Sequence, residues 1–501
     1  MNSREKLVVS CEIKSPLSRG DLGVCLFEHR VKNQEHTPRA ANQTSSFCLH
    51  FSPLERGLWI PALILLLAII TTFTQTTTAQ TNTPPPDRNE LPGYSPQGET
   101  LYPQLEEYLQ IAIEQNPELQ SLRSLYDSQQ ERVREVGVLM DPEITVAYDF
   151  NPMMYDSYLG RFSISAMQMF PWFGSLDARR EIQRSAADVN RSRIDSRQLE
   201  ILRDLQLTWF DIAEIYQQIR IAEENLDLIR DLEKLVEVRY ETGRAGQADI
   251  LRIQMEEQRL KTRIADLEDR INPLKARFNE LLNRDSNTEV ETTDRIKPRE
   301  VPYSDDESRS LIRQLNPLFN GIEAERSAAE KQRRLSDLNG RPSFGLGVEV
   351  MGRDFGPMSM FPDANESIIG MATVRVPLFR SRYSSQQRQA DHQIRSINLQ
   401  LDQTENRLMA ELEQYLEEIR SSERLIRLLD DELVPRAEQA LRILSEEYST
   451  GNARFDELLQ IQRELLELEI ERVETVVNQN KAVVRIESLI GNNPLSRGDR
   501  R

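Results

Sequence analysis

Cysteine is nearly absent from the chain, and where it occurs it is confined to one end. Of 501 residues only Cys11, Cys25 and Cys48 are cysteines, and three of the four histidines lie in the same stretch, leaving His392 alone beyond it. Disulfides, thiolate metal sites and Cys or His catalysis are thereby largely excluded from the bulk of the protein. Aromatics are scarce at 6%, and glycine is limited to 20 residues, so a sandwich of many short strands is disfavoured. No apolar run reaches the length of a membrane-spanning helix. No nucleotide-binding glycine loop, metal-ligand spacing or Ser-His-Asp set is present, so neither a catalytic residue nor a cofactor is assigned. Basic charge is also in deficit. A formal net charge of −18 argues against a nucleic-acid partner, which would need a basic face. What is abundant is Glu, Arg, Leu, Ile and Gln in helical period, with 29% of residues charged, and that mixture predicts long helices or coiled coil.

The longest apolar run, Leu58 to Ile70, spans thirteen residues, preceded by Arg56 and followed by Thr77-Thr78-Ala79. A short apolar segment with a basic flank and a small-residue end predicts a secretory signal over 58–79, cut after Ala79. No cysteine follows it, which argues against a lipid anchor. Residues before 58 are expected to be an N-terminal extension from a start assigned too early. The mature chain should begin near Gln80, within a Pro-rich segment over 80–100; mass spectrometry finding residues 1–50 on exported protein would refute this.

Beyond residue 100 the chain is written twice. Asn116-Pro117 recurs as Asn316-Pro317 and Pro142 as Pro342, at an offset of 200. Pro171-Trp172-Phe173 recurs as Pro377-Leu378-Phe379 at 206, and Tyr240-Glu241-Thr242-Gly243 as Tyr448-Ser449-Thr450-Gly451 at 208. Landmarks in one order, with offsets that grow only where loops can lengthen, predict a duplicated unit. The repeats are placed at 101–283 and 305–491, with a linker over 284–304 and a tail over 492–501.

Each unit reads helix, strand, strand, helix, helix. Ile144, Val146, Tyr148 and Phe150 alternate with Thr145, Ala147 and Asp149, and Phe344, Leu346, Val348 and Val350 alternate with Gly345, Gly347 and Glu349. One apolar face and one small or acidic face suit a strand between lipid and a wet lumen, and equally a soluble hairpin. The β-hairpins are placed at 143–170 and 343–376. Long helices follow at 174–240 and 381–448, the first free of proline and the second holding only Pro435. About 66 residues at 1.5 Å each make a rod on the order of 100 Å long. Ile201, Leu205, Thr208, Ile212, Ile215, Ile219, Ala222, Leu226 and Ile229 keep strict 4-3 spacing, the mark of a coiled-coil seam. Turns at 240–246 and 448–454 then reverse the chain into return helices at 247–283 and 455–490, the first carrying Pro273, where a kink is expected. Four strands in lipid leave open edges, which hydrocarbon does not tolerate, so oligomerisation is required; three chains would supply twelve strands.

These landmarks together resemble the TolC, or outer-membrane efflux protein, family, over roughly residues 101–491. The motifs carrying the resemblance are the Asn-Pro openings, the Pro-flanked strands, and the Tyr-x-x-Gly turns followed by Leu-x-x-Gln. The resemblance implies a mainly α protein with a transmembrane β part: a homotrimeric twelve-stranded β-barrel in the outer membrane, continued by a periplasmic α-helical coiled-coil tunnel. It further implies a passive channel of a tripartite efflux or type I secretion system, not an enzyme. Partners would be a periplasmic adaptor (membrane fusion) protein, an inner-membrane RND or ABC pump, and outer-membrane lipid. Carried over by position, the adaptor-docking tips are Tyr240, Thr242, Gly243 and Ala245, with Tyr448, Thr450, Gly451 and Ala453. Asp249 and Glu457, six residues past each turn glycine, stand where the family places acidic residues near the tunnel mouth. Gln460 departs from a second acidic position, which Asp456 could replace. No metal site is assigned. Nine of the 12 methionines lie in the hairpin regions, either as soft ligands or as apolar filler. Gln168 to Gly174 faintly resembles the cation-efflux branch. The rival class is a periplasmic coiled-coil adaptor.

Overall fold

The computed structural model describes residues 102–148, 150, 162–352 and 366–492. The expected extension, signal, Pro-rich segment, hairpin loops and nearly all of the tail lie outside the described residues.

Helices α1 (Pro103–Gln115) and α2 (Pro117–Glu135) lead into strands β1 (Glu143–Tyr148) and β2 (Phe162–Phe170). Helix α3 (Ser175–Glu241) runs for 67 residues and returns as α4 (Gln247–Leu281). The second half repeats this with α5 (Asp305–Leu315), α6 (Pro317–Asn339), β3 (Ser343–Gly352) and β4 (Glu366–Arg375). It ends with α7 (Arg380–Leu428), a π-turn over Leu429–Leu433, α8 (Val434–Thr450) and α9 (Phe455–Ile490).

The opening helix of each unit is two helices rather than one, divided at the Asn-Pro pair. A residue before proline is pushed out of the α region, and Asn116 and Asn316 take ψ of 121° and 122°. Each asparagine then performs two tasks. The Asn116 Oδ1 accepts from the backbone N–H of Glu118 (3.0 Å) and Leu119 (3.2 Å), capping α2, while its Nδ2 donates to the Leu281 carbonyl at 3.0 Å. The Asn316 Oδ1 accepts from the Leu318 N–H at 2.9 Å, and its Nδ2 donates to the Leu489 carbonyl at 2.8 Å. One buried amide thus ties the start of a repeat to the end of its own return helix. Asn316→Ala should lower stability by about 0.5–2 kcal/mol for the lost cap and about 1–3 kcal/mol for the orphaned carbonyl. An unchanged thermal midpoint would refute the clip.

The expected seam is buried at eight of its nine positions, Ile219 being half-buried. Ile201, Leu205, Thr208, Ile212, Ile215, Ala222, Leu226 and Ile229 are all inaccessible to solvent or nearly so. α3 packs on α4, α2, α6 and α9, while α7 packs on α6 and α9. The largest core cluster sits midway along the rod, where Trp209 and Phe210 of α3 meet Tyr102 of the N-terminal arm, Phe278 of α4 and Val477 of α9. The 284–304 linker is pinned there: the Trp209 Nε1 donates to the Glu291 carbonyl at 3.0 Å, and the Tyr108 hydroxyl accepts from the Glu291 N–H at 3.0 Å.

The uninterrupted helix expected over 381–448 is instead two helices joined by the π-turn at Leu429–Leu433. Pro435 has no N–H, and its ring would collide with the carbonyl four residues back, Asp431; one extra residue in the turn relieves that collision. Asp430 on this turn is ion-paired with Arg472 of α9. Pro273, by contrast, is contained within the single helix α4.

Candidate functional site: the sheet face and the hairpin tips

The four strands form one antiparallel sheet in the order β1-β2-β3-β4, so the two hairpins pair with each other through β2 and β3. The register lines up alternate residues across the sheet. Val146, Ile164, Val350 and Ile368 form one transverse row, and Ile144, Ala166, Val348 and Gly370 another on the same face. The opposite face carries Thr145, Ser165, Glu349 and Ile369 in one row and Ala147, Ser163, Met351 and Ser367 in the next. In the single chain the first face is bare: Ile144 is 67% exposed, Val146 61% and Leu346 61%. A largely apolar face without protein cover, interrupted by Gln168 and backed by a more polar one, is the pattern of a barrel wall in lipid. The outer edges of β1 and β4 are unpaired among the described residues.

Where strands meet helices, Phe173 and Phe379 are 82% and 80% exposed, and Trp172 lies 6.0 Å from Phe344 with the Arg341 guanidinium 5.5 Å from its ring. Such aromatics fit the interfacial girdle of a barrel.

At the far end of the helices the two Tyr-x-Thr-Gly turns lie side by side. Gly243 and Gly451 take φ of +71° and +95°, the left-handed region open to glycine without strain. The Thr242 and Thr450 hydroxyls donate back to the carbonyls of Arg239 and Glu447, each at 3.0 Å. The Gly451 N–H donates to the Glu447 carbonyl at 3.0 Å and the Asn452 N–H to the same oxygen at 2.8 Å, closing the helix. Beneath the turns, Val236 and Ile253 of the first hairpin share a cluster with Tyr448, Phe455 and Leu458 of the second, and Ala453 packs on its margin.

The equivalent tyrosines differ. Tyr448 is buried, with the Arg239 guanidinium 4.2 Å from its ring centroid, and burial pushes its phenol above the usual range. Tyr240 remains 45% exposed. Asp249 caps the restart of α4, its Oδ2 accepting from the Gly246 N–H at 3.2 Å. Arg252 lies 3.7 Å from Asp249 and 3.7 Å from Asp456, joining the two tips, and Arg454 contacts Asp456 at 2.6 Å. One turn up, buried Glu256 of α4 is ion-paired with Arg463 of α9. Glu457 is exposed and makes no ion pair with the described residues. Thus Asp249 and Asp456 share one cation, while Glu457 stands apart.

Arg239 and Arg252 were not among the residues singled out from sequence. A signal was present: their counterparts 208 residues later are Glu447 and Gln460. A cation where the other copy has an acid or amide marks a place where two copies in contact differ.

No group of three or more His, Cys, Asp or Glu that could hold a metal ion occurs among the described residues. No helix among them is long and apolar enough to cross a membrane.

The outer membrane efflux protein family model matches residues 108–283 and 309–492, which is well over half of the chain. No curated protein matches the sequence. Among solved structures, the outer membrane protein VceC of Vibrio cholerae shares the fold with a TM-score of 0.66 at 16% identity, over 77% of this chain and 96% of that one. CusC, a protein that forms a transmembrane channel, gives 0.67 at 14%, over 78% and 92%. The CmeC outer membrane channel of Campylobacter jejuni gives 0.65 at 10%, over 78% and 86%. These similarities do not favour the adaptor alternative. With an apolar sheet face for the outer membrane, a long helical rod for the periplasm and a family match across both repeats, the chain belongs to the outer membrane efflux protein family and is the outer-membrane channel component of an efflux system.

Proposed function

We propose that the working form is a homotrimer and that it conducts passively, with no catalytic step of its own. The observation that carries this is the open sheet: its unpaired β1 and β4 edges flank an apolar face. Each unpaired edge in hydrocarbon leaves backbone groups unsatisfied at several kcal/mol apiece. Pairing β1 of one copy with β4 of the next removes both edges, and three copies close twelve strands. The outer-membrane protein extracted in detergent should be a trimer. A monodisperse, detergent-free monomer would defeat the proposal.

The tips at 240–246 and 448–454 are the docking points for a periplasmic adaptor, which couples the channel to an inner-membrane pump delivering drugs or metal cations. Exposed Tyr240 and the two glycine turns support this placement, because they present side chains and backbone beyond the last helical hydrogen bonds. At the mouth, Arg252 and Arg454 offset the charge of Asp249 and Asp456. Glu457 therefore contributes the least compensated negative charge there, and cations are favoured by such rings.

Gly451→Val tests the tips. A Cβ at Gly451 meets only the Arg239 Nη2 at 3.6 Å, so the cost lies in the backbone and not in a clash. A β-branched residue held at this φ should cost about 1–3 kcal/mol locally. Trimer formation and membrane insertion should survive, while crosslinking to the adaptor and export fall together. Inserted Gly451→Val trimers that crosslink and export like wild type would show that the tips lie elsewhere.

A further inference from the structure

The methionines of the sheet are distributed in a way that contact with lipid does not explain. Four of them lie in the strands: Met167 and Met169 on β2, Met351 on β3 and Met371 on β4. If they served as lipid contacts they would share the face of Ile144, Val146 and Val348. None does. The register puts all four on the opposite face, in rows with Ser163, Ser367, Thr373 and Glu143. Once the barrel closes, that face is the wet wall of the lumen, so the inference rests on the channel reading above.

Three of these methionines, Met167, Met169 and Met371, lie on that face around a floor made of glycine. Met167 is opposite Gly347, which is opposite Met371; one step along, Met169 is opposite Gly345, which is opposite Thr373. The Met169 sulfur occupies the space a side chain at Gly345 would need, 2.6 Å from where its Cβ would stand. A Cβ at Gly347 would sit 3.4 Å from the Cβ of Met167. The Met167 sulfur in turn reaches across β3 to within 4.0 Å of the Thr373 hydroxyl on β4. The missing side chains on β3 therefore let sulfurs from β2 extend toward β4, the strand that carries Met371. All three methionines keep part of their surface open to the lumen face.

We propose that Met167, Met169 and Met371 form a thioether site for a soft monovalent cation, Cu(I) or Ag(I), on the lumenal wall of the barrel. Neutral thioethers bind soft, low-charge ions and serve hard or borderline divalent ions poorly. No carboxylate-imidazole group among the described residues competes for the role. Three copies of the chain would bring three such sites to one level of the lumen.

The test is Ag(I) binding to the full chain, purified as the inserted trimer in detergent, with bound metal counted by mass spectrometry. The methionine methyl groups are labelled with carbon-13 and followed by NMR. Wild type should retain Ag(I), and the Met167, Met169 and Met371 signals should shift together. Partners outside the ligand shell alone carry about 10–100-fold of a metal site's affinity, so Met167→Leu/Met371→Leu should weaken binding by at least about tenfold. Leu for Met is among the best-tolerated core exchanges, and Met255→Leu in the helical rod should leave binding unchanged. Equal Ag(I) binding by the double variant, or wild-type trimers whose three methyl signals do not move, would overturn the site while leaving the channel intact. Failure of wild type to form an inserted trimer would overturn both, because no lumen would exist. The methyl readout on wild type needs no variant to fold.

Discussion

Val348→Arg is expected to abolish the detergent-stable trimer in the outer membrane while leaving the helical rod able to fold. Val348 is 51% exposed in the single chain and sits centrally on the apolar face, between Ala166 and Gly370. An arginine facing lipid near the bilayer midplane costs about 2–4 kcal/mol, and the trimer would incur it three times. Ser165→Lys provides the contrast. Its row partners are Thr145 and Glu349, on the face assigned to the lumen, where a charge remains hydrated. The two positions lie on adjacent strands, so strand disruption alone would affect them alike. Gel mobility of unheated and heated membrane fractions separates the outcomes. Equal tolerance of both substitutions would mean that the apolar face does not meet lipid.

The second large effect is expected at Lys481. Its ammonium is 2.5 Å from Asp211 and 3.2 Å from Glu214, both on α3, and its side chain is only 12% exposed. Burial pushes the Glu214 carboxyl above the usual carboxylate range, with Lys481 opposing that shift. Lys481→Met removes the opposition and leaves a buried carboxylate without its cation. Breaking a buried pair in this way costs about 3–5 kcal/mol, with the lower end expected because Asp211 is partly exposed. The pH dependence has a definite sign. An acid whose pKa is raised in the folded state favours folding when protonated, and that contribution is lost as pH rises through the folded pKa. The variant's deficit in thermal midpoint should therefore shrink on acidification. Adding Glu214→Gln should remove that pH dependence and restore part of the loss. A deficit independent of pH in the single variant would show that Lys481 acts through packing, not charge.

The same lysine shows how far the duplication could be followed by eye. Position 481 corresponds to Pro273 in the first repeat, and a proline against a lysine marks where the copies diverge. That comparison identifies the position but not its partners, because Asp211 and Glu214 are about 270 residues away in the chain. The π-turn before Pro435 belongs to the same class. One helix was expected to run through Pro435, and the way the proline was absorbed instead, by a π-turn, depended on how α7 and α8 lie against α9.

Periodicity settled the main plan of this protein. Helical and strand periods depend on neighbouring residues along one chain, so the long coiled-coil helices, the alternating strands and their order are written locally and twice over. The turn glycines and the Asn-Pro caps are equally local, since each answers a backbone demand within a few residues. Partnership across the chain is of another kind. That Asn116 and Asn316 hold the ends of their own return helices, that Arg252 joins Asp249 to Asp456, and that Arg239 covers Tyr448 follow from helices packing in register. So does the register of β2, β3 and β4, which sends every strand methionine to one face. Such contacts join residues far apart in the chain, and no local period encodes them; the packed helices and the sheet register decide which side chains meet.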